Sequence, residues 1–106
     1  TVAMLEALDE PVRGLIVASP ANPTGTVLDP AELAAIAAYC ERTGVQLVSD
    51  EIYHGISYAG APATSCAWST SREAVIVNSF SKFFSMTGWR LAGCCCRNGC
   101  STPWAG

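Results

Sequence analysis

Three short, mostly apolar runs, each followed at once by polar residues, constrain the fold of this chain more than any other feature. The runs are Gly14–Ala18, Val45–Ser49 and Ala74–Asn78. Such runs are typical of parallel strands that are buried on both faces. Because parallel strands end at the same edge of a sheet, we expect the polar clusters to lie together there, where open α/β sheets bind ligands.

A helix signal separates the first run from the second. Asp29 is a candidate N-cap, Pro30 suits the first helical turn, Glu32 would complete a capping box, and Gly44 is a natural stop. The apolar residues of one helix face are Leu33, Ile36, Ala37 and Cys40. Strand, helix and strand form a βαβ unit, so the sequence predicts an α/β fold with a mainly parallel sheet.

The composition argues against several classes of function. Only 14% of the residues are charged and the net charge is -3, so we predict no basic surface for nucleic acid. No apolar run approaches the ~20 residues that span a bilayer. The amino end lacks the basic region of a secretory signal. We therefore expect a cytoplasmic protein that binds neither nucleic acid nor membrane.

The cysteines are crowded near the carboxyl end of the sequence. Cys94, Cys95, Cys96 and Cys100 lie together, whereas Cys40 and Cys66 stand apart and suit small apolar positions. A zinc site needs separated pairs of ligands, and consecutive cysteines cannot easily turn their sulfurs to one ion. We expect no metal site.

Lys82 is the first candidate catalytic residue. It ends the segment Ser79–Lys82, just past the third apolar run, and Arg90 follows eight residues later. A lysine held out of water at such an edge can form a Schiff base with a carbonyl cofactor. The other two runs are followed by Asn22–Gly25 and Asp50–Tyr53.

Taken together, in this order and spacing, four motifs resemble the central part of the class I/II aminotransferases, which belong to the fold-type I enzymes of the aspartate aminotransferase superfamily. The motifs are Ser19–Gly25, Ser49–Tyr53, Ser79–Lys82 and Gly88–Leu91. The resemblance implies pyridoxal 5'-phosphate as cofactor. It also implies that residues 1–91 are an internal fragment of the large, cofactor-binding domain, a three-layer sandwich.

The resemblance also implies a role for each polar residue around the cofactor ring. Lys82 would form the Schiff base and then move the substrate α-proton. Asp50 would keep the pyridine nitrogen protonated, so that the ring accepts electrons. Tyr53 and Asn22 would hydrogen-bond to the phenolic oxygen, and Asn22 would precede a cis peptide bond to Pro23.

Three further residues would hold the cofactor phosphate. Ser79 and Ser81 supply hydroxyl donors, and Arg90 supplies a planar fork that matches phosphate oxygens. Because Arg90 lies beyond the Gly88 turn, the chain must fold back to bring it near Ser79. His54, the only histidine, matches no catalytic position of the motif and is expected to be structural or to lie at the rim.

The activity implied by the resemblance is transfer of an amino group from an amino acid to a 2-oxo acid, in an enzyme whose full-length form is a homodimer. Two alternatives stay open. One is a pyridoxal-phosphate-dependent β-eliminating lyase on the same scaffold, since Lys82 and Asp50 would serve both reactions. The other is a truncated product without catalytic activity.

Residues 92–106 depart from the family pattern. Restoring one nucleotide after the Leu91 codon can convert the cysteine cluster into Gly-Trp-Leu-Leu-Leu-Pro-Glu, an apolar strand and a turn of the expected kind. We therefore interpret residues 92–106 as a frameshifted tail, with a divergent tail as the alternative.

Overall fold

The computed structural model describes residues 1–97 and 99–101. Within them, the helices are α1 (Val2–Glu6), α2 (Pro30–Thr43) and α3 (Ala67–Thr70), and a 3-10 turn covers Thr87–Trp89. The strands are β1 (Gly14–Ala18), β2 (Gln46–Asp50), β3 (Val75–Ser79), β4 (Ala92–Cys96) and β5 (Gly99–Ser101). No helix in this part of the chain is both long and apolar enough to cross a membrane.

The strands form one sheet in the order β1-β2-β3-β4-β5. β1, β2 and β3 run parallel, and β4 and β5 are antiparallel to their neighbours. The α/β class and the parallel arrangement of the three predicted strands are confirmed. β2 and β3 begin and end one residue later than predicted, so Asp50 and Ser79 are the last residues of their strands.

Helix α2 forms where the sequence predicts it, with one difference at its start. The Asp29 carboxylate accepts a hydrogen bond from the Ala31 N–H at 2.8 Å. The predicted capping box is wrong, because Glu32 faces the amino nitrogen of Thr1 at 3.5 Å instead. Gly44 ends the helix in the left-handed region, with φ 72°. All four predicted core residues of α2 are buried against the sheet.

The two faces of the sheet are covered differently in the described residues. Leu15, Leu47 and Ile76 pack with the helices, which all lie on that face. Ile16 points to the opposite face and is 75% exposed. The prediction that β1 is covered on both faces is therefore wrong for this chain. By strand register, Asp50 and Ser79 lie on the uncovered face with Ile16.

The start of the predicted tail belongs to the sheet. β4 pairs with β3 from Ser79 to Ile76, and Arg97 forms an ion pair with Glu73. The consecutive cysteines Cys94, Cys95 and Cys96 alternate between the two faces, as side chains of a strand do. Asn98 and residues 102–106 lie outside the described residues, and so does that part of the tail hypothesis.

Candidate active site

The segment after β3 folds back on itself, as the sequence requires. The Phe80 N–H donates to the Leu91 carbonyl at 3.1 Å, and the Met86 N–H donates to the Phe80 carbonyl at 3.2 Å. These bonds close the loop that contains Lys82. They return Arg90 to the carboxyl end of β3, where Ser79 lies.

Four of the predicted site residues line one cavity of about 370 Å³ at this edge: Ser79, Ser81, Lys82 and Arg90. The Ser81 N–H donates to the Ser79 hydroxyl oxygen at 3.3 Å. Arg90 donates from Nη1 to the Thr87 carbonyl at 3.3 Å and has a left-handed backbone, with φ 50°. Two hydroxyls, a guanidinium and an amine are donors of the kind that bind a phosphate.

Lys82 is the single lysine of the sequence. Its Nζ lies 5.6 Å from the centroid of the Tyr53 ring, which links the cluster after β3 to the one after β2. Lys82 and Arg90 are both exposed. The expectation that Lys82 is held out of water is therefore wrong for this chain, because the sheet face and the loop beside it are uncovered.

The cluster after β2 forms a tight turn. The Asp50 carboxylate accepts from the Ile52 N–H at 3.2 Å, and the Ile56 N–H donates to the Tyr53 carbonyl at 3.1 Å. Asp50 and Tyr53 are half-buried. Asp50 does not line the cavity around Lys82, although it lies at the same sheet edge.

The cluster after β1 lies beside Tyr53. Asn22 and Tyr53 line a second cavity, of about 330 Å³. The Asn22–Pro23 peptide bond is cis, as expected, and a second cis bond at Ser19–Pro20 was not predicted. The Gly25 N–H donates to the Ala21 carbonyl at 2.7 Å, which closes the loop.

The donors along this edge fit pyridoxal 5'-phosphate by their chemistry. Ser79, Ser81 and Arg90 would offer donors for its phosphate, and Lys82, which lines the same cavity, would offer an amine for its aldehyde. The phenol of Tyr53 and the amide of Asn22 share the neighbouring cavity. Residues 1–97 and 99–101 contain no cluster of three or more His, Cys, Asp or Glu side chains that could hold a metal ion.

The structure contains a polar cluster that sequence reasoning missed. Glu51, between Asp50 and Tyr53, is only 2% exposed and contacts His54. Its one signal in the sequence is an acidic residue placed directly after a buried strand. His54 is 18% exposed, so it lies inside the turn and not at the rim.

Comparisons with known proteins found similar proteins of one family. The family model "Aminotransferase class I and II" matches residues 1–100. A valine–pyruvate aminotransferase of Mycobacterium tuberculosis (strain ATCC 25618 / H37Rv) is 66% identical over 91 residues, which are 86% of this chain and 24% of that protein. An aspartate aminotransferase of Bacillus subtilis (strain 168) is 39% identical over 88 residues, 80% of this chain and 22% of that protein.

A solved structure supports the fold as well. The crystal structure of an aminotransferase from Mycobacterium tuberculosis matches with a TM-score of 0.85 and 65% identity, over 87% of this chain and 24% of that one. The chain thus spans about a quarter of the length of the relatives it matches. The resemblance drawn from the four motifs is confirmed, and the chain belongs to the aminotransferase class I and II family.

Proposed function

We propose that the chain is part of a pyridoxal-phosphate-dependent aminotransferase, whose full-length form moves an amino group from an amino acid to a 2-oxo acid. The observation that carries this proposal is that Lys82 lines the same cavity as Ser79, Ser81 and Arg90. Nζ of Lys82 also lies 5.6 Å from the centroid of the Tyr53 ring. The family match adds to it. Residues 1–91 would supply part of the cofactor-binding domain.

Each side chain would have one task. Pyridoxal phosphate, when bound, supplies an aldehyde for covalent attachment and a ring that accepts electrons. Ser79, Ser81 and Arg90 would hold its phosphate through charge-assisted hydrogen bonds. The Lys82 amine would bind the aldehyde and be displaced by the amino group of the substrate. It would then take the proton from the substrate α-carbon and deliver it to the carbon that came from the aldehyde.

Three residues would tune the ring. Asp50 would accept a hydrogen bond from the pyridine nitrogen and so favour its protonated form. Tyr53 and Asn22 would donate to the phenolic oxygen and stabilise it as an anion. Asp50 lies at the end of β2, and the other two share a cavity beside it.

The substrates and partners are part of the proposal. Because a valine–pyruvate aminotransferase is 66% identical over most of this chain, valine with pyruvate is the pair to assay first. We also propose that the full-length enzyme is a homodimer, as the family resemblance implies, and that it is cytoplasmic, as the composition suggests.

Covalent labelling of Lys82 tests the proposal. The protein is incubated with pyridoxal phosphate, reduced with borohydride and mapped by mass spectrometry. We expect the label on the peptide that contains Lys82, and its loss in Lys82→Arg, which keeps the charge but cannot form the bond. A label confined to the terminal amine or another site would contradict the assignment.

Product analysis then separates transfer from elimination. With valine and pyruvate, an aminotransferase yields alanine and the keto acid of valine. A β-eliminating lyase would release ammonia and a thiol from a sulfur amino acid. Ammonia release without alanine would overturn the transfer reaction while leaving the role of Lys82 intact.

A further inference from the structure

Glu51 is a buried carboxylate to which the proposed function gives no task. Its side chain is 2% exposed, and it directly follows β2, between Asp50 and Tyr53. Removing an ionised carboxylate from water is strongly unfavourable unless hydrogen-bond donors replace the lost water. A carboxylate in this place therefore requires donors built around it.

Donors from three parts of the fold surround this carboxylate. Oε1 accepts from the Ser49 hydroxyl at 3.0 Å and from the Ala67 N–H at 2.8 Å. Oε2 lies 3.2 Å from Nδ1 of His54. Burial raises the pKa of the neighbouring Cys66 thiol, and the Glu51 side chain raises it further. The donors therefore come from β2, from the turn after it and from the start of α3.

The main chain of Glu51 makes two further connections. Its N–H donates to the Val77 carbonyl of β3 at 2.8 Å, and its carbonyl accepts from the His54 N–H at 3.0 Å. Hydrogen bonds therefore fix both the side chain and the backbone of Glu51 in place. One residue joins β2, β3, α3 and the turn that follows β2.

Two proposed cofactor ligands flank Glu51 in the sequence, one at the end of β2 and one on the turn after it. Asp50 precedes it and accepts from the Ile52 N–H within the turn. Tyr53 follows it, with its ring near Lys82. The directions of the Asp50 and Tyr53 side chains thus depend on the path of a backbone that Glu51 ties to three elements.

We infer that Glu51, together with His54, is a positioning residue that orients Asp50 and Tyr53 toward the cofactor. This inference rests on the proposed function. Groups that orient the direct ligands of a site contribute to its affinity without touching the bound group. Glu51 acts through its neighbours on the turn and takes no part in proton transfer.

Substitutions of His54 test this role most directly, because they change one contact of the Glu51 carboxylate. Nδ1 of His54, when it carries a proton, is a hydrogen-bond donor to the Glu51 carboxylate, from which it lies 3.2 Å away. In His54→Asn the amide nitrogen, which is attached at the same point of the side chain as Nδ1, can restore that donor. His54→Leu has a similar apolar bulk but no donor.

The test measures pyridoxal phosphate binding by the purified, cofactor-free protein, from the visible absorption of the bound cofactor. We expect Glu51→Gln and His54→Leu each to raise the dissociation constant about tenfold and to shift the absorption maximum, since a charge-assisted bond to the turn is lost. His54→Asn should recover most of the affinity. For the enzyme, kcat should fall more than KM rises.

Ser71→Ala is the matched control for general destabilisation. Ser71 is also buried, at 4% exposure, and donates to the Glu41 carboxylate at the opposite end of β3. We expect it to lower the unfolding temperature as Glu51→Gln does but to change the dissociation constant less than twofold. If both variants change cofactor binding equally, Glu51 has a structural role only and the inference is wrong.

The outcomes also separate the inference from the proposed function. If the unmodified protein binds no pyridoxal phosphate, both fail. If it binds the cofactor and His54→Leu behaves like His54→Asn, the positioning role alone fails. Should Glu51→Gln not fold, the two His54 variants still decide the question.

Discussion

At the scale of single residues, burial changes the chemistry of two cysteines that the sequence marks only as small apolar positions. Cys40 is 2% exposed in α2, and burial raises the pKa of its thiol above 9.0. The pKa of Cys66 is raised by burial and then by the Glu51 side chain. Because the thiolate is the reactive form, a raised pKa makes both residues poor nucleophiles.

We predict that the buried Cys40 and the half-buried Cys66 react with a thiol reagent at pH 8 about tenfold more slowly than in the denatured protein, because burial and a raised pKa both lower the concentration of accessible thiolate. The raised pKa values favour the protonated thiols of the folded state. They stabilise it at pH values below the ordinary thiol pKa of 9.0, and this contribution is lost as the pH rises through the folded pKa values. Site-resolved mass spectrometry between pH 7 and pH 10, with Cys40→Ala and Cys66→Ala to assign the signals, measures the rates. Equal rates in folded and denatured protein at pH 8 would refute the prediction.

At the scale of elements, the turn after β2 and the loop after β3 meet at a glycine. Gly55 has φ 84°, and a Cβ atom there would lie 2.6 Å from the Phe83 ring. Phe83 directly follows Lys82 in the loop. A side chain at position 55 would therefore move the element that carries the candidate catalytic amine.

We predict that Gly55→Ala destabilises the protein more than Gly60→Ala does. Both glycines have a left-handed backbone, which costs alanine roughly 1–2 kcal/mol, but a Cβ at Gly60 meets no atom within 4 Å. The overlap with Phe83 should add to this loss, because the exposed Phe83 ring has to move before a Cβ atom fits. Denaturant unfolding gives both free energies, and Gly55→Ala combined with Phe83→Ala should remove the additional loss. Equal losses for the two glycine variants would count against the close contact.

At the scale of the whole molecule, one side of the sheet has no helical layer in the described residues. Ile16 on that face is 75% exposed, and Phe83, Phe84 and Trp89 are exposed near the sheet edge. Exposed apolar groups of this extent are typical of surfaces that another part of a protein covers. The chain also spans about a quarter of the length of its relatives.

We predict that residues 92–106 are encoded out of frame. Sequencing of the DNA from the Leu91 codon onward should reveal that one additional nucleotide yields Gly-Trp-Leu-Leu-Leu-Pro-Glu, which would place leucines where β4 now has Cys94, Cys95 and Cys96. Leucine suits a strand that packs against β3 better than a run of cysteines does. The absence of such a reading frame would establish the cysteines as genuine. Their redox chemistry would then be the next subject to assay.

Those parts of the protein that depend on local patterns are predictable from the sequence. The three apolar runs predicted β1, β2 and β3, and the spacing from Asp29 to Gly44 predicted α2, because short-range periodicity and capping decide these elements. The motifs around Lys82, Asp50 and Asn22 predicted the family. The ends of β2 and β3 lie one residue later than predicted, because hydrogen bonds with neighbouring strands determine where a strand ends.

Contacts between residues far apart in the chain are visible only in the folded structure. The carboxylate of Glu51 is held by Ala67, sixteen residues away, and no local pattern marks such a pair. The exposure of Ile16 depends on which face the helices cover, and the approach of Arg90 to Ser79 depends on closure of the loop between them. Local patterns specify which elements form, whereas burial and hydrogen bonding across the fold specify what surrounds each side chain.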